Sequence, residues 1–321
     1  MDAASGVPAA APAIGGDGRP GVAGPRFVLR HRTTYDFDRL VALAPHEVRL
    51  RPAPHAQVPV AAYAFAVAPA SRTLHWQQDP YANWVARLTF PERARRLAID
   101  VELTATYIDV NPFDFFVDPS AFAWPFDYAA EVARALAPYR ALPADDGPRL
   151  AAWVAAFRAS VGSGEETVAM LVRLNRALRA DVDYRVRDEP GVQAAETTLA
   201  MGHGSCRDSA WLLLTILRHL GFGARYVSGY LVELAHGDEG LDATRDRGSL
   251  HAWVEAFVPG AGWMGLDPTS GLFAAGGHVP LACAAEPDMA APVSGTTDIC
   301  ETTFAASIEL ARVDPGPAAS A

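Results

Sequence analysis

The spacing of apolar residues changes once along this chain, and the change limits the folds that it can adopt. Residues 84–90 and 97–108 alternate apolar and polar side chains with a period of two, which is typical of half-buried β-strands. From about residue 128 the apolar residues recur at helical spacing, most clearly over residues 168–178. Residues 111–127, between these patterns, are rich in proline and aromatic side chains and have no period. The sequence therefore predicts a β domain followed by a mixed domain.

The predicted fold class is α+β. Several short strands separated by turn residues predict a small antiparallel β-sandwich, and helices followed by further strands predict helices packed on an antiparallel sheet. The predicted boundaries are a disordered tail over 1–25, the β-sandwich over 26–112, a linker over 113–140, the mixed core over 141–313 and a tail over 314–321. Ser163 and Glu166, at capping-box spacing, predict the start of a core helix.

The composition excludes several classes of function. The chain of 321 residues has a formal net charge of −10 and a pI near 5.3, which argues against nucleic acid as a partner. All 27 basic residues are arginine, so the chain cannot supply a lysine amine for cross-linking to itself. Three cysteines are too few for a disulfide framework. With no recognisable signal peptide or apolar membrane span, we expect a cytoplasmic protein without a membrane partner.

One cysteine stands where a helix is expected to begin. Cys206 follows Gly204 and Ser205 and precedes the apolar helical run of residues 211–220. The first turn of a helix has unpaired backbone N–H groups and the positive end of the dipole, which together stabilise a thiolate. Cys206 is therefore a candidate nucleophile, although a lone cysteine is more often an inert buried residue.

A histidine and an aspartate downstream complete a residue set for acyl transfer. His251 begins a predicted strand, and Asp267 precedes Pro268 at the end of another. A cysteine nucleophile, a histidine base and an aspartate that orients the histidine are the groups that thioester chemistry needs. Each residue alone has a structural interpretation, as a strand or turn residue, but their joint occurrence favours function.

A zinc site is the competing interpretation of this region. His203 and Cys206 are separated by two residues, and His251 with a carboxylate would complete a ligand set. A structural zinc site usually needs a second close ligand pair, which this sequence does not offer. We therefore predict neither a metal nor an organic cofactor, and we expect Cys283 and Cys300 to be packing residues.

Motifs in both halves of the chain resemble the bacterial transglutaminase-like family. In the second half they are GSCRDSAWLL (204–213), LGFGARYVSGYL (220–231), HAWVE (251–255) and GWMGLDPTSG (262–271). In the first half they are HEVRLRP (46–52), WQQDPYAN (76–83) and NPFDFF (111–116). The resemblance extends over about residues 27–313. It implies a papain-like core with Cys206 as nucleophile, His251 as general base and Asp267 as its orienter.

Two features depart from the pattern of that family. His203 occupies a position where similar sequences usually carry a small polar residue, so the loop before the nucleophile is expected to differ. Residues 277–287 resemble long family members that continue into a large C-terminal domain. In this chain that domain is expected to be absent or encoded separately, and in the second case it would be a partner.

The predicted function is cysteine-dependent acyl transfer on amide or peptide bonds of a protein or peptide substrate, through a thioester intermediate. Water as acceptor would make a peptidase or amidase, and an amine would make a transglutaminase; the sequence leaves both open. The calcium that animal members use has no acidic loop of recognisable spacing here. The alternative is a non-catalytic binding module that retains the transglutaminase fold.

Overall fold

A computed structural model describes residues 22–144, 147–187, 189–235 and 245–313. The strands are β1 (Val22–Val41), β2 (His46–Val48), β3 (Val60–Ala68), β4 (Thr73–Gln78), β5 (Trp84–Thr89), β6 (Ala94–Asp109), β7 (Asp183–Tyr184), β8 (His203–Gly204), β9 (Gly223–Glu233), β10 (Arg247–Val258), β11 (Gly262–Asp267), β12 (Leu272–Phe273), β13 (His278–Ala284), β14 (Val293–Ser294) and β15 (Thr302–Val313). The helices are α1 (Ala130–Ala135), α2 (Ala137–Arg140), α3 (Pro148–Ser160), α4 (Thr167–Asp181), α5 (Ala195–Met201) and α6 (Cys206–His219). None of the helices in these ranges is long and apolar enough to cross a bilayer.

The amino-terminal strands form two four-stranded antiparallel sheets around an apolar core. The first sheet has the order β15-β1-β6-β3, and the second has the order β14-β2-β5-β4. In β6 the alternation seen in the sequence buries Leu97, Ile99, Val101 and Leu103. These side chains pack in one cluster with Leu88 of the second sheet. The predicted β-sandwich is confirmed.

The carboxy-terminal strands return to this sandwich. β15 pairs with β1 along its whole length, from Val313 opposite Arg26 to Thr302 opposite Phe37, and β14 pairs with β2. Most side chains of β15 are exposed, so backbone hydrogen bonds hold it at the sheet edge. The core predicted over 141–313 is therefore too long, since the mixed core ends before β14. The sequence could not show this, because an edge strand without an apolar pattern gives no sign of the strand with which it pairs.

The predicted tails lie mostly outside the described residues. Residues 1–21 of the first tail and 314–321 of the second belong to that part. The first predicted tail was too long at its end, since β1 already begins at Val22.

The second half is a five-stranded antiparallel sheet with helices packed against it. The strand order is β12-β11-β10-β9-β13, and α6 lies against β9 and β10. Residues 208–218 of α6 are all buried, and Leu213 and Ile216 pack in one cluster with Val254 and Ala256 of β10. This arrangement confirms the predicted α+β class.

The helix predicted from the capping-box spacing begins later than expected. α4 starts at Thr167, and Glu166 makes no side-chain capping bond there. Gly164 has φ of 75°, in the left-handed region, so the backbone cannot run from Ser163 directly into a helix. The apolar periodicity located the helix, whereas the cap motif misplaced its first residue.

The segment predicted as a linker, residues 113–140, packs on the second half. It contains α1 and α2, and Trp124 lies in the apolar cluster of that half. The Trp124 Nε1–H donates to the Leu220 carbonyl oxygen at 3.2 Å, directly after α6. The segment is thus a packed connection: most of it lies on the second half, and Tyr139 also contacts Tyr81 between β4 and β5.

Side chains join the two halves. Tyr230 of β9 and Leu281 of β13 belong to the same apolar cluster as Phe27 and Leu29 of β1. The Tyr230 hydroxyl lies 2.9 Å from Nδ1 of His31, which is also on β1. Burial lowers the pKa of His31 to about 4, so this imidazole is neutral at neutral pH and depends on its hydrogen bonds.

Replacing Tyr230 with phenylalanine should lower the free energy of unfolding by about 1–3 kcal/mol, because the buried Nδ1 of His31 loses its partner. Urea denaturation followed by circular dichroism measures the change. Tyr184→Phe, at a tyrosine that is 47% exposed, is the matched control and should stay within about 0.5 kcal/mol of the wild type. An unchanged midpoint for Tyr230→Phe would show that this contact does not join the halves.

Candidate active site

Cys206 is the first residue of α6, where the sequence places it. Ser205 is the N-cap of a capping box: its hydroxyl accepts the Asp208 backbone N–H, and the Asp208 carboxylate accepts the Ser205 backbone N–H at 2.8 Å. The cysteine is half-buried and free. Because the first N–H groups of a helix have no acceptor within it, they favour negative charge at this sulfur.

The Asp208 side chain is completely buried and binds the start of α6 to the preceding loop. Its Oδ1 accepts the Gln193 backbone N–H at 2.7 Å and Arg187 Nη2–H at 3.0 Å. Its Oδ2 accepts the Ser205 hydroxyl at 2.8 Å and Arg187 Nε–H at 3.0 Å. Burial raises the pKa of Asp208, but these hydrogen bonds lower it to about 2. The ionised carboxylate therefore fixes Arg187 and Gln193 beside the start of α6.

His251 lies on β10, and Asp267 is the last residue of the neighbouring β11. The buried Nε2 of His251 is 3.1 Å from Asp267 Oδ2, although its N–H is poorly aligned with that oxygen. The imidazole also contacts Cys206, and since Nε2 faces the carboxylate, Nδ1 is the nitrogen left for the thiol. Burial lowers the pKa of His251, but the contacts with Asp267 and Cys206 outweigh it and raise the pKa to about 10. The structure thus brings the three predicted residues together.

The Asp267 carboxylate is held by its own turn. Oδ1 accepts the Thr269 backbone N–H at 2.8 Å, and Oδ2 accepts the Ser270 hydroxyl at 3.1 Å. Burial would raise the pKa of Asp267, but His251 and His278 hold it well below its usual range. The carboxylate therefore stays ionised and keeps its place beside the imidazole.

A second histidine, His278, binds the same carboxylate, and the sequence reasoning missed it. Its Nε2 is 3.4 Å from Asp267 Oδ2, and its Nδ1 accepts the Ala275 backbone N–H at 3.2 Å. Because Nδ1 accepts a hydrogen bond, the neutral ring carries its proton on Nε2 and donates it to Asp267. No spacing rule identifies His278 in the sequence. The resemblance of residues 277–287 to longer family members was the one sequence signal whose range included this residue.

His251, Asp267 and His278 are close enough to hold a metal ion, with ligand atoms within 4.8 Å of one another. Coordination by His278 Nε2 would require the proton on Nδ1, where the Ala275 N–H already points. The geometry therefore favours a proton on Nε2 over a metal at this position.

The predicted alternative of a zinc site with His203 and Cys206 is not formed by the described residues. A second group at ligand distance exists in the described ranges: His55, Glu255 and Cys283. There Arg225 Nε–H donates to Glu255 Oε2 at 2.6 Å, and Nη2 lies 3.4 Å from His55 Nε2. The positive charge of the Arg225 guanidinium, fixed at this position, would repel a metal ion.

The other two cysteines pack against apolar clusters, as expected, and each also contacts a polar group; the Cys283 sulfur lies 3.4 Å from His55 Nε2. Cys283 is buried against Val227 and Trp253, and burial raises the pKa of its thiol. Cys300 packs on the sandwich cluster, with its sulfur 3.5 Å from the Thr302 hydroxyl.

Two family models match the chain. The bacterial transglutaminase-like N-terminal region matches residues 27–106, and the transglutaminase-like superfamily matches residues 155–268, a range that includes Cys206, His251 and Asp267. The chain belongs to the transglutaminase-like superfamily. The sandwich of this superfamily member is therefore the matched N-terminal region together with the returning strands β14 and β15.

Relatives of this superfamily member include uncharacterized mycobacterial proteins. One from Mycobacterium leprae (strain TN) is 33% identical over 118 residues, which are 36% of this chain and 40% of that protein. One from Mycobacterium tuberculosis (strain H37Rv) is 26% identical over 257 residues, 76% of this chain and 79% of that protein. The chain thus spans less than half of the first relative's length. The crystal structure of a candidate cysteine protease from Cytophaga hutchinsonii has a TM-score of 0.67 at 18% identity, with 91% of each chain covered, and shows the same fold.

Replacing Asp208 with alanine should lower the free energy of unfolding by about 3–5 kcal/mol, because Arg187 loses its buried partner. Glu189→Ala is the matched control. Glu189 lies 3.8 Å from the same arginine but is 73% exposed, so its loss should cost less than about 1 kcal/mol. Urea denaturation measures both variants, and equally small effects would contradict the anchoring role of the buried carboxylate.

In its neutral form His278 should be the Nε2–H tautomer, because its Nδ1 accepts the Ala275 N–H. Long-range ¹H–¹⁵N NMR correlation of the imidazole ring distinguishes the two tautomers. One equivalent of zinc should leave the His278 and His251 signals in place. An Nδ1–H tautomer, or zinc-dependent shifts at both rings, would support the metal interpretation instead.

Proposed function

We propose that this chain catalyses acyl transfer from amide or peptide bonds, with Cys206 as nucleophile, His251 as proton carrier and Asp267 as its orienter. The observation that carries the proposal is one buried imidazole between a thiol at a helix start and an ionised carboxylate. Cysteine acyl transfer needs this combination of groups. Membership of the transglutaminase-like superfamily supports the same class of chemistry.

In the proposed reaction the Cys206 sulfur attacks the amide carbonyl carbon. The oxygen of the tetrahedral intermediate accepts the Cys206 backbone N–H, which has no acceptor within α6. His251 gives its proton to the amide nitrogen, the C–N bond breaks, and the acyl group remains on sulfur as a thioester. Water or an amine then attacks the thioester carbonyl, passes its proton to His251 and releases Cys206.

The acceptor determines whether the product is a hydrolysed amide or a new amide. The proposed reaction is the same for both acceptors up to the thioester, so experiment decides between water and an amine. As acyl donor we propose a protein or a peptide. A separately encoded domain or protein stays a proposed partner. We also propose a cytoplasmic location, since all three cysteines are free thiols.

Alkylation of Cys206 by iodoacetamide tests the proposal without a known substrate. In the wild type the reaction should continue well below pH ~8.5, where a free thiol ionises, because a His251 with a pKa of about 10 stays protonated and pairs with the thiolate. In His251→Ala the profile should return to the free-thiol range, and in Asp267→Asn it should move part of the way. Intact-mass spectrometry gives the rate at each pH. Identical profiles in wild type and His251→Ala would contradict activation of Cys206 by His251.

Peptide libraries, incubated with and without a primary amine, test turnover and its acceptor. Cys206→Ala should abolish product formation while the protein stays folded, whereas Cys283→Ala and Cys300→Ala serve as controls and should change the rate only by a few-fold. Mass spectrometry of the peptides separates hydrolysis from amine transfer. A Cys206→Ala protein with most of the wild-type rate would rule out the mechanism, and a folded wild type without turnover would favour the binding module.

A further inference from the structure

Large apolar side chains stand exposed on both sides of the proposed nucleophile. Tyr184 is 47% exposed, Val186 is 78% exposed and Leu272 is 59% exposed. Tyr184 and Val186 lie on the segment that pairs with the residues before Cys206, and Leu272 lies opposite Asp267; we call these three residues the rim. Exposed apolar surface that is continuous with a reactive group marks a binding surface.

Tyr184 borders the nucleophile. β7 pairs with β8, which places Tyr184 opposite Gly204, two residues before Cys206. The Arg185 backbone N–H donates to the Gly204 carbonyl oxygen at 2.9 Å and fixes this contact. Burial is the larger cause of the raised pKa of Tyr184, and the nearby Cys206 raises it further. The phenol ring therefore forms one wall beside the sulfur.

Leu272 borders the carboxylate. It lies opposite Asp267 in the antiparallel pair of β11 and β12, and opposite residues of such a pair point to the same face. The Asn175 side-chain amide donates to the Leu272 carbonyl oxygen at 2.9 Å, and Gly271 before it has φ of 74°, which together fix the turn. The exposed isobutyl group is therefore held beside the His251–Asp267 pair.

The cation next to the nucleophile in the chain is bound to the loop before α5. The Arg207 guanidinium, next to the nucleophile, donates from Nη2 to the backbone carbonyl oxygens of Arg187 at 2.8 Å and Glu189 at 3.0 Å. These bonds engage the guanidinium in holding the loop, so we do not assign it the binding of an acidic substrate side chain.

From this arrangement we infer that the site accepts substrates with a large apolar side chain, aromatic or branched aliphatic, next to the amide carbonyl that is attacked. The inference rests on the proposed acyl transfer. Such a side chain would cover exposed apolar surface of Tyr184 on one side and of Leu272 on the other, and removal of both surfaces from water would favour it over a polar side chain.

Covalent probes test this substrate class directly. Acetyl-dipeptidyl chloromethyl ketones with Leu-Phe, Ser-Ser or Asp-Asp side chains react when the Cys206 sulfur displaces chloride and forms a thioether. Each rate is divided by the rate of the same protein with iodoacetamide, which carries no side chain. The normalised rate of the Leu-Phe probe should exceed that of the Ser-Ser probe by about tenfold or more, the discrimination that an apolar pocket provides.

Variants at the rim locate the source of the preference. Tyr184→Ser and Leu272→Ser should each remove most of it, whereas Ile299→Ser, at an apolar residue of the sandwich half that is 97% exposed, should leave it intact. Equal probe rates, a preference for Asp-Asp, or a preference retained in both rim variants would overturn the inference. In those cases iodoacetamide would still alkylate Cys206 and the proposed function would stand. A Cys206 that no reagent alkylates would contradict the proposed function and the inference with it.

Discussion

The buried contact of the Asp208 carboxylate with Arg187 fixes the start of α6, on which the proposed nucleophile lies. A buried carboxylate is stable only when its oxygens are saturated with donors, and Asp208 obtains them from Ser205, the cap residue of α6, and from Arg187 and Gln193. The start of α6 and the wall of the site are therefore fixed by one group. If this contact were lost, the start of α6 would lose its bonds to Arg187 and Gln193.

The same contact has an electrostatic consequence for the thiol. A negative charge in the first turn of α6 would by itself oppose a thiolate two residues away, but Arg187 forms an ion pair with Asp208 and compensates that charge. In the proposed mechanism the protonated His251 pairs with the thiolate. Its pKa is raised by its contacts with Asp267 and Cys206, and the Asp267 carboxylate is kept ionised by His251 and His278.

The sandwich and the core are packed as one unit. The mixed half of the chain is inserted between β6 and β14, so both of its ends are tied to sandwich strands. Side chains of β9 and β13 also complete the sandwich core, and His278, the first residue of β13, reaches the Asp267 carboxylate. The strand that helps to close the sandwich core therefore also supports the site, which gives the N-terminal region a structural link to the proposed chemistry.

The local features of the chain follow from short-range patterns in its sequence. Period-two and helical apolar spacing located β6, α4 and α6, and the apolar run after Cys206 placed this residue at a helix start, because these signals come from side chains a few positions apart. The three residues of the proposed mechanism were identified from local motifs and their resemblance to a family. The folded chain was needed to show that β15 belongs to the sandwich, that Arg187 forms an ion pair with Asp208, and that His278 shares Asp267 with His251. These contacts join residues that lie far apart in the chain or whose backbone conformation the sequence does not reveal, and their geometry depends on strand register and loop paths that no local pattern encodes.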